Sequence, residues 1–411
     1  MSFYNLQSIK VDNAVFRGGC TDELNNQLLL IDSNNGLIHK FKMDTLARLE
    51  PYIPLSNNTP LGIALLSTTS AIVMFASLNT VDVVELAGGY RSTYSITTST
   101  PSFGNTAAKG QLIASDIDNK IAVTITTQPL INIFSGNTFS AASTNNIVIR
   151  IGTSPSCVIY KEPNRFFVGT TAGEIYEMDS LGTFRVRMEL SNPNTTGNTL
   201  SIMNPRIVSM SWDNNLLLVA TEPGIIYLID WSTRSVIRTI SSNNTAQGYL
   251  LSNSASGMCI GGIAPATTVN KVINELDFTI NPVTIGTVPA CTPSTTQLID
   301  LGINVTTGRA WAVQQVTTVF TSNANPVTAN IYFMDLNVRP TTARNIVVQN
   351  PVGVDVKARV TLMDLVSGNQ ILDTYIQSPG TYRVPTNKPI TELIKIGDGT
   401  NSLWDLSQYI T

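Results

Sequence analysis

Apolar residues come in short bursts along this chain, and Asn, Asp, Gly, Pro or Ser interrupts nearly every burst. Residues 206–240 show the unit most clearly: RIVSMSWDNNLLLVATEPGIIYLIDWSTRSVIRTI. Ile207–Met210, Leu216–Thr221, Ile225–Asp230 and Ser235–Ile240 have the length and composition of strands. Asp213-Asn214-Asn215, Glu222-Pro223-Gly224 and Ser232-Thr233-Arg234 separate them. Those are turn formers: Asn and Asp bond their own backbone, Pro presets φ, and Gly accepts positive φ. Four short strands joined this way predict an antiparallel meander.

The meander recurs. Second strands begin at Gln27, Ala71, Ile121, Phe166, Leu216, Met258 and Arg309. A repeat of about 40–50 residues with four strands predicts propeller blades, each hiding two apolar faces by radial stacking. The expectation is an all-β chain with seven blades over residues 1–338. The first unit is expected to open at Ala14–Arg17. The seventh has three strands of its own, Gln297–Leu301, Arg309–Gln314 and Ala329–Asp335. Residues near Leu6–Lys10 belong to no unit, so they are expected to pair antiparallel with Asn330–Leu336 and close the ring.

After Val338 the pattern changes. Arg339-Pro340-Thr341-Thr342-Ala343 reads as a linker, and Ile346–Gln349, Asp355–Asp364, Ile371–Gln377 and Thr381–Val384 read as strands. A separate small module over residues 341–411 is expected, folding on its own.

Two resemblances sharpen these expectations. Residues 206–240 resemble a WD-repeat blade, and the related YVTN and quinoprotein-like propellers, in length, turn placement and the Tyr227-Leu228-Ile229-Asp230-Trp231 strand end. That resemblance implies a seven-bladed β-propeller and no particular activity. In the last module, Asp364, Gly368, Gly380 and Tyr382 stand where carboxypeptidase-regulatory-like and other small Ig-like modules carry D-x-x-x-G and G-x-Y-x-V. That resemblance implies a small β-sandwich with a structural or adhesive role, of a kind found in phage virions and extracellular proteins, with no catalytic residues to transfer.

Composition narrows the function. The chain of 411 residues has 13% charged residues and a formal charge of −3, while 50 Thr, 38 Asn and 35 Ser supply the polarity. A weakly acidic chain offers no general attraction for nucleic acid, and no apolar run reaches the length of a membrane span. A single histidine argues against imidazole catalysis and against a multi-histidine metal site. Cys20, Cys157, Cys259 and Cys291 form no C-x-x-C pair, and Cys157 and Cys259 read as buried small hydrophobes. The N-terminus shows no basic and apolar leader pattern.

Each candidate for chemistry has a plainer reading. Asp116-Ile117-Asp118-Asn119 has calcium-loop residue types but sits where other units turn. His39 lies on a third strand, as a packed or solvent-facing imidazole. Gly88-Gly89 and Gly261-Gly262 end strands and open no helix that could hold phosphate. Trp212, Trp231, Trp311 and Trp404, with Tyr227 and Tyr249, could stack on sugars but read as blade packing. Arg185, Arg187, Arg234 and Arg238 read as a salt-bridged face on outer strands. The expectation is therefore no catalytic, cofactor or metal site, and no enzyme. The protein is expected to be a structural component of a virus particle: a phage tail, baseplate or capsid-surface protein made in the host cytoplasm. Its partners would be other virion proteins in a symmetric, many-copy assembly, with a host-surface glycan as a further candidate. The alternative is an exported bacterial propeller, a lectin or a quinoprotein-like binding protein.

Overall fold

Several second strands are apolar at every position: Leu28-Leu29-Leu30-Ile31, Ala71-Ile72-Val73-Met74-Phe75, Phe166-Phe167-Val168 and Leu217-Leu218-Val219-Ala220. A strand with one wet face alternates; a continuous run requires both faces to be dry. The computed structural model of the chain meets that requirement by placing sheets on both sides of such strands.

The structure describes residues 4–75, 80–95, 97–100, 104–107, 110–116, 121–126, 130–135, 145–149, 153–161, 165–179, 181, 183–190, 205–213, 215–222, 224–241, 249–252, 258–263, 273–277, 284–288, 296–316, 328–336, 344–348, 357–363, 370–377, 380–384, 393–397 and 404–405. The chain divides into two compact units, Met1–Asn337 and Val338–Thr411. Every element described is a strand, and every pairing is antiparallel.

The first unit contains four-stranded meanders, numbered here as sheets in chain order. Sheet 1 is Phe16–Asp22, Gln27–Asp32, Leu37–Lys42 and Arg48–Pro54. Sheet 2 is Pro60–Ser67, Ser70–Phe75, Thr80–Glu85 and Arg91–Ser95. Sheet 3 is Gly110–Asp116, Ile121–Thr126, Leu130–Ser135 and Asn145–Val148. Sheet 4 is Pro155–Lys161, Arg165–Thr170, Glu174–Asp179 and Phe184–Glu189. Sheet 5 is Ile207–Asp213, Leu216–Thr221, Ile225–Asp230 and Ser235–Ser241. Sheet 6 is Tyr249–Leu251, Met258–Ile263, Ile273–Asp277 and Thr284–Val288. Sheet 7 is Thr296–Asn304, Arg309–Val316 and Thr328–Asp335, with Tyr4–Asp12 as its outer strand. A hairpin of Thr97–Thr100 and Gly104–Ala107, absent from the sequence reading, follows sheet 2.

The arrangement is that of a β-propeller with five blades, and the described packing is fullest in sheets 1, 2, 4, 5 and 7. The expected count of seven is corrected to that extent. Sheets 3 and 6 pair as meanders, but few of their side chains are described, and a blade is defined by what its two faces pack against. Where the packing is described, alternation assigns each residue to one neighbour. Leu28 and Leu30 join Trp311, Val313, Ile331 and Phe333 of sheet 7. Leu29 and Ile31 join Ile63, Leu65 and Val73 of sheet 2. Phe167 packs with Leu217, Val219 and Tyr227 of sheet 5, and Phe166 with Ile131 and Ile133 of sheet 3.

The expected closure is present. Gln7 pairs with Phe333, Ile9 with Ile331 and Val11 with Ala329. Arg309 is buried at the junction: its guanidinium donates to the Met43 carbonyl, to Asp335 at 2.8 Å and to Gln7 Oε1 at 2.7 Å. One side chain thus ties sheet 1, the third strand of sheet 7 and the N-terminal strand. Trp311 fills the same seam and donates to Thr21 Oγ at 2.8 Å. Its indole occupies space that two glycines leave open: a Cβ on Gly302 would lie 2.7 Å from the ring, and one on Gly19 2.9 Å from it. This close approach explains the first strand of the chain. The strand runs Phe16–Asp22 rather than Ala14–Arg17 because Gly18-Gly19 belongs to the sheet instead of breaking it.

In the second unit Arg344–Val348 pairs with Gly380–Val384, while Lys357–Met363 lies between Gln370–Gln377 and Leu393–Gly397, which in turn pairs with Trp404–Asp405. The last two strands were not read from the sequence. The backbone pairing is all-β; the sandwich packing expected for residues 341–411 involves side chains outside those described.

Two predictions follow from the seam. Deleting residues 1–12 strips the outer strand and uncovers the Phe333 strand, and is expected to lower stability by about 4 kcal/mol or more in urea denaturation. Arg309→Ala leaves Asp335 without its cation in a dry setting and is expected to cost about 3–5 kcal/mol; an unaltered urea midpoint in either variant would refute the closure as a stabilising element.

Candidate functional site

The polar groups that sequence reasoning singled out fall in two places: the third strand of sheet 1, and the first strands where neighbouring sheets meet. In the hairpin of Gln27–Asp32 and Leu37–Lys42, Leu30 lies opposite His39 and Asp32 opposite Leu37. Asp32 and His39 are therefore diagonal neighbours on one face. His39 is 2% exposed, and its Nε2 lies 3.1 Å from Asp32 Oδ2. Its Nδ1 receives a hydrogen bond from Arg48 at 2.5 Å. Arginine can only donate, so Nδ1 is the acceptor and the ring is the neutral tautomer with its proton on Nε2, given to Asp32. Phe16 meets the ring edge-on, Phe41 stacks parallel to it, and Tyr52 lies tilted against it. The Arg48 guanidinium sits 4.3 Å above the Tyr52 ring.

Asp32 also accepts from the Val15 and Asn34 amides and from the Asn35 side chain, at 2.9, 2.8 and 2.7 Å. Burial pushes its carboxyl up, but the bonds from His39, Val15, Asn35 and Asn34 outweigh it and bring the pKa to about 2. The cluster ties the strand entry at Val15, the turn after Asp32 and the outer strand at Arg48. Both ring nitrogens are taken up by Asp32 and Arg48, the surrounding side chains are aromatic, and among the described residues no hydroxyl or thiol is hydrogen-bonded to the ring.

Further buried carboxylates stand on the third strands of sheets 2 and 4. Asp82 accepts from the Ser56 amide and hydroxyl at 2.7 and 2.8 Å and from Thr93 at 2.7 Å. Glu174 takes the Tyr176 hydroxyl at 2.9 Å and pairs with Arg187. Glu177 holds Arg165 at 2.8 Å and, across the sheet boundary, Trp231 Nε1 at 2.8 Å. Sequence reasoning missed these acids. Asp82 stands between Val81 and Val83, and Glu177 between Tyr176 and Met178; a lone acid between apolar neighbours inside a third strand is the signal that marks them.

The second place lies along the first strands, where a β-bulge recurs: Phe16/Gly18, Pro60/Gly62, Pro155/Cys157, Ile207/Ser209 and Leu298/Asp300. Side chains at or beside the bulge latch one sheet to the next. Ser156 Oγ donates to the Ile207 carbonyl at 2.6 Å. Ser209 Oγ exchanges bonds with Leu251. Asp300 accepts from the Gly19 amide at 2.8 Å and from Leu301 at 2.9 Å. Burial raises the Asp300 carboxyl to about 6, against the pull of those two amides. Burial, with Asp22 and Asp300 nearby, also raises the Cys20 thiol, and burial takes the Cys157 thiol to about 12. Neither thiol is a nucleophile at neutral pH.

The remaining candidates resolve as follows. Trp231, Trp311 and Tyr227 are buried, and Trp212 is half-buried against Phe167. Gly88-Gly89 sits in a turn; Gly261-Gly262 lies inside a strand rather than at its end. Arg187 is ion-paired to Glu174 and Glu189, as the salt-bridged face requires, while Arg234 and Arg238 form no ion pair among the described residues. Asp118, Asn119 and Cys291, and the side chains of Asp116, Arg185, Tyr249 and Trp404, lie outside what is described. Among the described residues, no three His, Cys, Asp or Glu side chains gather as a metal ion would require, and no helix is long and apolar enough to cross a membrane.

The two carboxylates give opposite pH dependences. Asp300 titrates near 6 in the folded chain against an ordinary 3.8, so between these values only the folded state keeps the proton. Stability then falls as the pH rises from about 4 to about 6. Asp32 is held near 2, below the ordinary 3.8, so its contribution is full above about 4 and is lost as the pH falls toward 2. Asp300→Asn is expected to abolish the first slope and Asp32→Asn the second, in urea midpoints measured across pH. A slope that survives its own substitution refutes the assignment. Compared with known proteins, the chain matches no family model and no curated protein.

Proposed function

We propose that this protein is a non-enzymatic docking scaffold, a structural component of a virus particle such as a phage tail, baseplate or capsid surface. The observation that carries the reading is the internal use of its polar chemistry. His39, Asp82, Glu174, Glu177 and Arg309 are bound to strands, turns and neighbouring sheets of the same chain. A molecule that commits its ionisable groups to its own rigidity offers partners a shaped surface rather than a reactive one. The low charge, 13%, suits close-packed contact with other proteins, since few charges need desolvation. Burial of Trp231, Trp311 and Tyr227 counts against sugar stacking through those rings and so against the lectin alternative.

In the finer form of this reading the ring has seven blades. The backbone meanders of sheets 3 and 6 support it, as do the neighbouring first strands of sheets 2 and 3, 3 and 4, and 5 and 6. The second unit is a small β-sandwich that faces partner proteins, supported by its two antiparallel sheets and its separation as a compact unit. Copies of the chain follow the particle's symmetry.

The test is a chain ending at Val338. It is expected to unfold cooperatively like the full protein but to be absent from purified particles when mass spectrometry finds the full chain there. Absence of the full chain from particles refutes the virion reading. Incorporation of the shortened chain moves the docking surface to the ring.

A further inference from the structure

The outer strand of a blade ends its sheet, and its outward amides and carbonyls have no ladder partner unless something covers them. Four of the five described blades guard that edge. In sheet 1, Arg48–Pro54 carries Pro51 and Pro54, which lack an N–H. In sheet 2, Arg91 reaches the Pro54 carbonyl and Asp82. In sheet 4, Arg187 is tied to Glu174 and Glu189. In sheet 7, Lys10 and Asp12 stand on the outer strand 3.3 Å apart.

Sheet 5 differs in what stays open. Ser235–Ser241, like Arg91–Ser95, has no proline and no acid, but Arg91 is held by Asp82 and the Pro54 carbonyl. Val236 and Ile237 are 42% and 54% exposed, the one adjacent pair of large apolar side chains in the open among the described residues. Register places Val236 opposite Ile229 and Arg238 opposite Leu228, so Ile237 is the extra residue of a bulge. Arg234 and Arg238 flank the pair, and neither side chain has a partner among the described residues. The nearby Asp230 carboxylate is spent on its own turn, accepting from Ser232 and Thr233. An outer strand with two exposed apolar side chains and two cations that have no acid partner among the described residues has a definite complement.

We propose that this edge takes up an extended segment of a partner protein by strand addition, a segment with apolar residues at its centre and carboxylates flanking them. Backbone bonds would give the affinity, and the arginines the register and choice of partner. Arg234 stands in the turn that leads into the strand and Arg238 within it, so the two cations bracket the apolar pair and fit acidic residues on either side of an apolar centre. A second copy of the same edge is a poor occupant, because self-pairing brings the arginines together. This inference rests on the docking reading but not on the virion setting, and its test uses isolated full-length protein.

The probe is a fluorescein-labelled peptide of alternating Glu and Val, with the same peptide carrying Lys for Glu as control, read by fluorescence anisotropy at low salt. The Glu peptide is expected to bind with saturation below ~1 mM, more weakly as salt rises, and the Lys peptide not to bind. The double variant Arg234→Glu with Arg238→Glu is expected to lose binding roughly tenfold and to prefer the Lys peptide. Ile237→Lys, at an exposed position, is expected to lose binding while keeping its thermal midpoint. No binding of the Glu peptide, or equal binding by the charge-reversed variant, overturns the proposal. So does concentration-dependent self-association in light scattering that Ile237→Lys abolishes, which would make a second copy the occupant.

Discussion

Everything in the first unit depends on joining its two ends. A row of meanders leaves an open apolar face at its start and another at its end, and neither can be hidden by chain that is near in sequence. Sheet 1 and sheet 7 hide them in each other. Leu28, Leu30 and Phe41 pack on Trp311, Ile331 and Phe333, and the N-terminal strand is laid on the far edge of sheet 7. The contact joins residues about as distant as the unit allows, so its loop-closure entropy must be offset by dense packing and by bonds of good geometry. The seam carries both. Gly19 and Gly302 let the Trp311 ring lie against backbone, and Phe16, Gly19, Thr21 and Asn26 each bond to sheet 7.

Dry faces on both sides of a strand create a second problem, which is where the turns' polar groups go. Carboxylates at the end of a second strand and within a third strand answer it. Asp32 gathers the amides of Val15 and Asn34; Asp82 gathers the amide and hydroxyl of Ser56. A carboxylate accepts several bonds at once, so one acid fixes a turn that would otherwise leave donors without partners. Once surrounded in this way it is cheaper to keep ionised than to protonate, which is why Asp32 is held near 2. Asp300, with only two amides, stays near 6. The same residue type behaves in opposite ways because the number of donors differs.

These features also explain what could be read in advance. The second strands were legible because continuous apolar runs bounded by turn residues have few other readings, and the ring closure followed from counting edges. The extent of the first strands was not. Gly18-Gly19 resembles a break in one dimension, and only the arrival of Trp311 from residues nearly three hundred positions away makes glycine the fitting choice. The blade count read from spacing outran the described packing, since spacing reports meanders and not what their faces touch. His39 reads from the sequence as a packed or solvent-facing imidazole; the structure packs it, and its partners were not legible. Asp32 becomes its neighbour only once the hairpin register sets Leu30 opposite His39, and Arg48 only once the outer strand folds back. The buried acids were hidden by composition, because a low overall charge draws attention away from the few charges present.

The last distinction is between an inside that is settled and edges that are not. Within the seam and the third strands, the buried carboxylates and Arg309 are matched to donors and acceptors of the same chain, and a change there acts on folding. The outer strands are under a different constraint, since no residue of the meander lies beyond them. Proline in sheet 1 removes donors, and the acids around Arg187 in sheet 4 neutralise a cation; both make the edge a poor template. Such devices are needed wherever an edge must stay unoccupied. Ser235–Ser241 carries a bulge and Arg238, but neither a proline nor a cation neutralised by an acid among the described residues. An edge that is filled by a partner strand needs no such device, and the docking proposed for sheet 5 would make the open Val236-Ile237 pair the contact rather than a liability.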